Sequence, residues 1–156
     1  VNPITSYKHH LKKMPLDITV DAFDETSGVK EVSLYYKYST DNITWTNWML
    51  YGVNQTAFPY IWHFTAPNGT GYYEFYSQTL DNADNLEPMP FGADAFCRIY
   101  PNWDVNKDER VNILDVVLVG QHWGETGPPC WIPMDVNSDG IVNILDLILV
   151  AQHWTG

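Results

Sequence analysis

The stretch DVNKDERVNILD occupies Asp104–Asp115, and DVNSDGIVNILD occupies Asp135–Asp146, 31 positions later. Aligned over 104–124 and 135–155, the two copies agree at 14 of 21 positions. Each copy reads as a twelve-residue polar loop, a short apolar helix and a Gln-His-Trp ending. Between them lies GETGPPCWIPM (Gly124–Met134), whose three prolines and two glycines mark a loop.

The spacing of the polar residues carries the chemistry. Loop positions 1, 3, 5, 9 and 12 hold Asp104, Asn106, Asp108, Asn112 and Asp115 in the first copy. In the second they hold Asp135, Asn137, Asp139, Asn143 and Asp146. This is the ligand spacing of an EF-hand calcium loop, in which position 7 adds a main-chain carbonyl, here from Arg110 and Ile141. Calcium takes six to eight oxygens, and alternate residues of a tightly coiled loop turn them inward. Three carboxylates per loop repel one another until a cation arrives, so binding two calcium ions contributes folding free energy. Magnesium, which demands a tight octahedron, fits less well. Loop position 6 is Gly140 in the second copy but Glu109 in the first, so the first site is expected to be the weaker.

The pattern Asp-Val-Asn-x-Asp-x-x-Val-Asn-x-x-Asp plus one apolar helix, in two copies, resembles a dockerin over residues 103–156. Dockerins keep the loop and its exiting helix and lack the entering helix of an EF-hand. The resemblance implies a small α-helical calcium-binding domain whose helices bind cohesins, which are β-sandwich domains. The short Pro/Gly-rich connection Gly124–Met134 departs from the family's small intervening helix.

A helical projection at about 100° per residue puts Val116, Val119 and Trp123 on one stripe beside Gly120, joined by Val111. The second copy places Leu147, Val150, Ala151 and Trp154 there. A second apolar arc holds Ile113, Leu114, Val117, Leu118 and Gln121, matched by Ile144, Leu145, Ile148, Leu149 and Gln152. A helix apolar all round is deeply buried or has a partner, and a module this small buries little. The second arc is therefore the candidate partner-binding surface. Its bland alternative is packing within the protein. In dockerins, loop positions 10 and 11, here Ile113-Leu114 and Ile144-Leu145, take part in cohesin recognition.

Up to Ile99 the grammar is different. Leu16–Ala22 and Val32–Tyr38 alternate apolar and polar residues, and Trp45–Tyr51, Tyr60–Thr65, Tyr72–Leu80 and Ala93–Ile99 are rich in β-formers. Turn clusters separate them at Asp24–Gly28, Ser39–Asn42, Ala66–Gly71 and Asp81–Asn85. About seven strands predict a β-sandwich of immunoglobulin or fibronectin type III kind. VKEVSLYYKYSTDNITWT (Val29–Thr46) and GYYEFYSQTLDNADN (Gly71–Asn85) resemble the Ig-like repeats of secreted archaeal and bacterial surface proteins. The expected architecture is multi-domain: an all-β Ig-like sandwich over 1–99, then a small α-helical dockerin-like domain over 100–156. Asp81 and Asp84 are explained more simply as turn residues than as cation ligands.

Composition sets the outer bounds. A formal charge of −11 repels phosphate and argues against nucleic acid as a partner. No apolar run approaches the length that crosses a bilayer. The chain begins at Val1, which reads as a processed form or an excised fragment. Asn42, Asn54 and Asn68 head glycosylation sequons. Cys97 and Cys130 are candidates for one bridge clamping the two domains in an extracellular setting. His9, His10, His63, His122 and His153 lack zinc spacing and read as surface or packing residues. No nucleophile motif, phosphate loop or acid–base pair is evident, so no enzyme is expected.

Three functional readings follow. The first is an extracellular, calcium-dependent assembly protein that docks onto a β-sandwich partner. If that partner is the Ig-like domain of the next copy, head-to-tail contacts build filaments or tubes, a homopolymer. The second is the anchoring tail of a larger secreted enzyme, bound by a separate cohesin. The third is a calcium-stabilised adhesin that holds carbohydrate through Trp45, Trp48 and Trp62.

Overall fold

The computed structural model describes residues 7–10 as backbone and residues 14–156 with their side chains. Val1 and the side chains of His9 and His10 lie outside the described residues. Two compact units emerge, one within Met14–Ile99 and the other within Tyr100–Gly156.

Among the described residues seven strands form in chain order: β1 (Tyr7–His10), β2 (Leu16–Val20), β3 (Val29–Ser39), β4 (Met49–Leu50), β5 (Tyr60–Phe64), β6 (Gly71–Asp81) and β7 (Ala95–Tyr100). One sheet has the order β1-β7-β6-β3-β4, and a second sheet pairs β2 with β5. Long β3 and β6 pair antiparallel, with Tyr36 opposite Phe75 and Leu34 opposite Ser77. Period-2 alternation aims Ile18, Val20, Val32, Leu34, Tyr36, Trp62, Phe64, Tyr73 and Phe75 into one core. Phe64 meets Tyr36, Tyr73 and Phe75 edge-on at centroid distances of 4.8–5.9 Å.

Helices α1 (Ile113–Gln121) and α2 (Ile144–Gln152) are nine residues each. Asn112 and Asn143 cap them, and Asp115 and Asp146 complete a capping box in each copy. The core of this unit is six valines in three repeat-related pairs: Val105 and Val136, Val111 and Val142, Val119 and Val150.

The expected Ig-like sandwich followed by an α-helical domain is overturned. The structure is small and mostly sheet, and among the described residues helix is confined to two short segments. The second sheet has two strands, short of the three or four that an immunoglobulin-type sandwich needs. Trp45–Tyr51 falls short of the expected strand: only Met49–Leu50 pairs, with β3 at the edge of the five-stranded sheet. There the aromatic residues cover a neighbouring side chain instead: the Lys37 ammonium lies 4.8 Å from the ring centroids of both Trp45 and Trp48.

The inner stripes of the helices also need correcting. Val119 and Val150 are buried, but Ala151, Trp123 and Trp154 are exposed. Nine-residue helices end before a third turn can bring those tryptophans over the core. Val105 and Val136, at loop position 2, take their place.

Candidate functional site

The two polar loops fold alike. Lys107 and Ser138 at position 4 have φ of 60° and 63°, and Glu109 and Gly140 at position 6 have φ of 75° and 90°. These left-handed residues coil the chain so that alternate positions turn to one side. Asp104 accepts from the amides of Asp108 (3.2 Å) and Glu109 (3.0 Å), and Asp135 accepts from Asp139 (3.1 Å) and Gly140 (3.2 Å). Asn106 and Asn137 each accept from the amide two residues on and donate to Asp108 and Asp139 at 2.8 Å.

The closing carboxylates are buried. Asp115 accepts from the amides of Val105, Asn106 and Asn112 at 2.8–3.1 Å, stitching the start of the loop to the helix. Asp146 does the same with Asn137 and Asn143. Burial pushes the Asp104 carboxyl above its ordinary range, and the nearby charges of Asp115 and Asp108 push it the same way. Amide donors from Glu109 and Asp108 oppose that shift only in part.

The expected ligands do not all sit in ligand roles. Asn112 and Asn143 use their side-chain oxygens as helix caps, accepting from Leu114 and Leu145 at 2.8 Å. Among the described residues no three acidic, His or Cys side chains are drawn into one cluster that would hold a metal. The carboxylates instead face main-chain amides, as mutually repelling anions do. The donor set still fits a hard cation: it offers only oxygens, on a backbone coiled at the two positions that such a loop bends. Asp104, Asn106, Asp108, the Arg110 carbonyl and Asp115 would hold calcium in the first loop. Asp135, Asn137, Asp139, the Ile141 carbonyl and Asp146 would do so in the second.

Position 6 separates the copies. A Cβ on Gly140 would meet the Gly127 carbonyl oxygen at 2.6 Å, and the Gly140 carbonyl accepts from the Gly127 amide at 2.9 Å. Glu109 tolerates its side chain but bears the left-handed strain. Replacing Glu109→Gly is therefore expected to stabilise the unit by about 1 kcal/mol, read from the thermal midpoint. Gly140→Ala should cost more than that, because the new methyl strikes backbone.

Each helix end is tied to the other repeat's loop. The Gly124 amide donates to the Val142 carbonyl (2.8 Å), and the Val142 amide to Glu125 (2.9 Å). In the other direction, the Thr155 amide donates to Val111 (2.9 Å) and the Val111 amide to the Thr155 hydroxyl (2.8 Å). The Trp103 ring stacks on His153 at 3.6 Å and 11°. Trp103→Ala should remove this lid and destabilise the unit by about 1–3 kcal/mol, measured by denaturant titration. His122 contacts Glu125 and His153 contacts the Leu149 carbonyl, so both act in packing.

The candidate partner surface divides. Ile113, Leu114, Val117, Ile144, Leu145 and Ile148 are exposed, at 43–58 % each. Gln121 and Gln152 are exposed beside them. Leu118 and Leu149 do not belong to this surface, because they pack against the valine core.

The expected bridge between Cys97, in the first unit, and Cys130, in the second, does not form. Cys97 and Cys130 are free thiols. Cys97 points into the sheet core, where burial pushes its thiol up to about 12. Asn42 and Asn68 are exposed in turns, as glycan acceptors must be. The Asn54 amide nitrogen, the atom a glycan would take, donates to Glu31 at 3.1 Å. Asp81 serves its own turn, accepting from Ala83 and Asn85, and Asp84 pairs with Lys30. Trp62 is buried in the core and donates to the Val53 carbonyl, which removes it from any carbohydrate surface.

No helix of the described residues is long and apolar enough to cross a membrane. Comparison with protein-family models, with curated proteins and with solved structures finds no match for this chain.

Proposed function

We propose that this chain is an extracellular calcium-dependent assembly protein whose C-terminal unit, a dockerin-like module, docks onto a β-rich protein partner. The observation that carries this reading is the pairing of two ligand-spaced loops with two helices whose first turns leave Ile113-Leu114 and Ile144-Leu145 exposed. Each pair directly follows a loop cap, so ordering the loop orders the apolar pair. Calcium is abundant outside cells, which suits loops that need it to fold. Its partner is the β unit of a neighbouring copy, giving a head-to-tail contact that repeats without closing. The oxygens of Asp24 and Asp81, in the concavity they share with Glu25 and Glu87, serve their own turns.

The test is electron microscopy and light scattering of the purified chain with calcium and with chelator. Filaments or tubes appearing only with calcium support the proposal. Monomers under both conditions overturn self-assembly and leave a separate β-sandwich protein as the partner.

A further inference from the structure

The two-stranded sheet has two unlike edges. On β5, the Tyr51 hydroxyl donates to the His63 carbonyl (2.9 Å) and accepts from the Thr65 amide (3.0 Å). That edge is closed by a side chain. The same bonds fix the parity of the ladder. If His63 turns its carbonyl toward Tyr51, its main-chain groups point away from β2. In an antiparallel pair, directly opposed residues either both face each other or both face away. Asp17 is opposite His63 and Thr19 is opposite Ile61, so Asp17 and Thr19 also face away from the pair. Their two amides and two carbonyls form the second edge, and no main-chain bond to them exists among the described residues.

A crevice runs beside this edge, lined by Ile18, Val20, Leu34, Phe75, Ser77 and Ala95. Ser77 is 3 % exposed, and its hydroxyl has no hydrogen-bond partner among the described residues. The open row of amides and carbonyls on Asp17 and Thr19 is a template for an added strand.

We infer that β2 pairs antiparallel with β2 of a second copy, across a two-fold axis centred on Ile18. This register places Asp17 opposite the second copy's Thr19, and Thr19 opposite its Asp17. Four main-chain bonds then satisfy all the outward amides and carbonyls of both copies. Registers centred on residue 17 or 19 satisfy fewer groups, and the first sets two aspartates face to face, which is unfavourable. Leu16 of the second copy falls beside Val20, over the crevice. Pro15, which lacks an amide, ends the ladder. The two sheets become one four-stranded sheet, β5-β2-β2-β5. The contact is isologous and involves no calcium loop, so it is separate from the assembly proposed above.

Sedimentation of the full chain in chelator, across a dilution series, tests it. The expected result is a mass that doubles with concentration for the unaltered chain. Thr19→Asp sets carboxylates opposite each other twice and should yield monomer with unchanged circular dichroism. Adding Asp17→Thr to it exchanges the two side chains and should restore the dimer, a rescue that general damage to the fold does not produce. Hydrogen exchange should show the Asp17 and Thr19 amides protected in the dimer and open in monomer. A monomer at every concentration, or a dimer in which those two amides exchange freely, overturns the inference.

Discussion

Removing calcium is expected to unfold Tyr100–Gly156 while leaving Met14–Ile99 folded. The second unit has a core of six valines, which is small, and it buries Asp104, Asp115, Asp135 and Asp146. Burying a carboxylate is costly, and the raised Asp104 shows that burial and like charge both work against its ionised form. A cation reverses that balance. At a calcium concentration a hundred times the dissociation constant, each site adds about 2.7 kcal/mol, so two sites add about 5 kcal/mol. For a domain of this size each kcal/mol moves the melting temperature by about 4–8 °C, so chelation should lower it by about 20 °C or more. Calorimetry with calcium should show two transitions, and chelator should shift only one of them. A calcium-insensitive trace would remove the metal from the folding of this unit. Asp146→Ala should mimic chelation for the second loop alone, since it removes the group that joins loop to helix.

The loops were legible in the sequence because their information is local. A polar oxygen-bearing residue at every second position, a cap three residues before its box partner and a 31-residue repeat need no tertiary knowledge. What the sequence obscured was decided by packing. Val105 and Val136 look like spacers between ligands, yet a coiled loop with left-handed positions 4 and 6 has an inside, and they fill it. An ideal helix projected past Gln121 and Gln152 turns Trp123 and Trp154 inward, but the real helices stop before them. In the first unit, alternation located most strands but not their partners. The aromatic richness of Trp45–Tyr51 signals strand propensity, whereas the Trp45 and Trp48 rings flank Lys37 and the backbone pairs at only two residues. Strand order and sheet size depend on such non-local choices, and the expected sandwich failed there. Asn112 and Asn143 show a subtler limit: one side chain suits both a ligand position and a helix cap, and the spacing does not distinguish them.

Exchanging Ile113→Asp together with Ile144→Asp is expected to abolish calcium-dependent assembly without unfolding the chain. Both side chains are more than half exposed, and surface substitutions away from special features usually stay within about 0.5 kcal/mol of neutral. Each occupies the first position of its helix, where an added carboxylate is favoured by the helix dipole. The fold therefore has little reason to object. An interface does: each isoleucine buried against a partner contributes about 1.5–3 kcal/mol, and a charge left in its place costs more. Losing both raises the concentration needed for assembly by about a hundredfold or more, since 1.4 kcal/mol is tenfold. Leu118→Ala and Leu149→Ala are the contrasting pair. They sit on the same apolar arc but pack against the valine core, so they should lower the melting temperature first and weaken assembly only through unfolding. Light scattering and thermal melts on the two double variants separate surface from core. If the aspartate pair assembles like the unaltered chain, the exposed ends of the helices are not the grip, and the partner lies against another face.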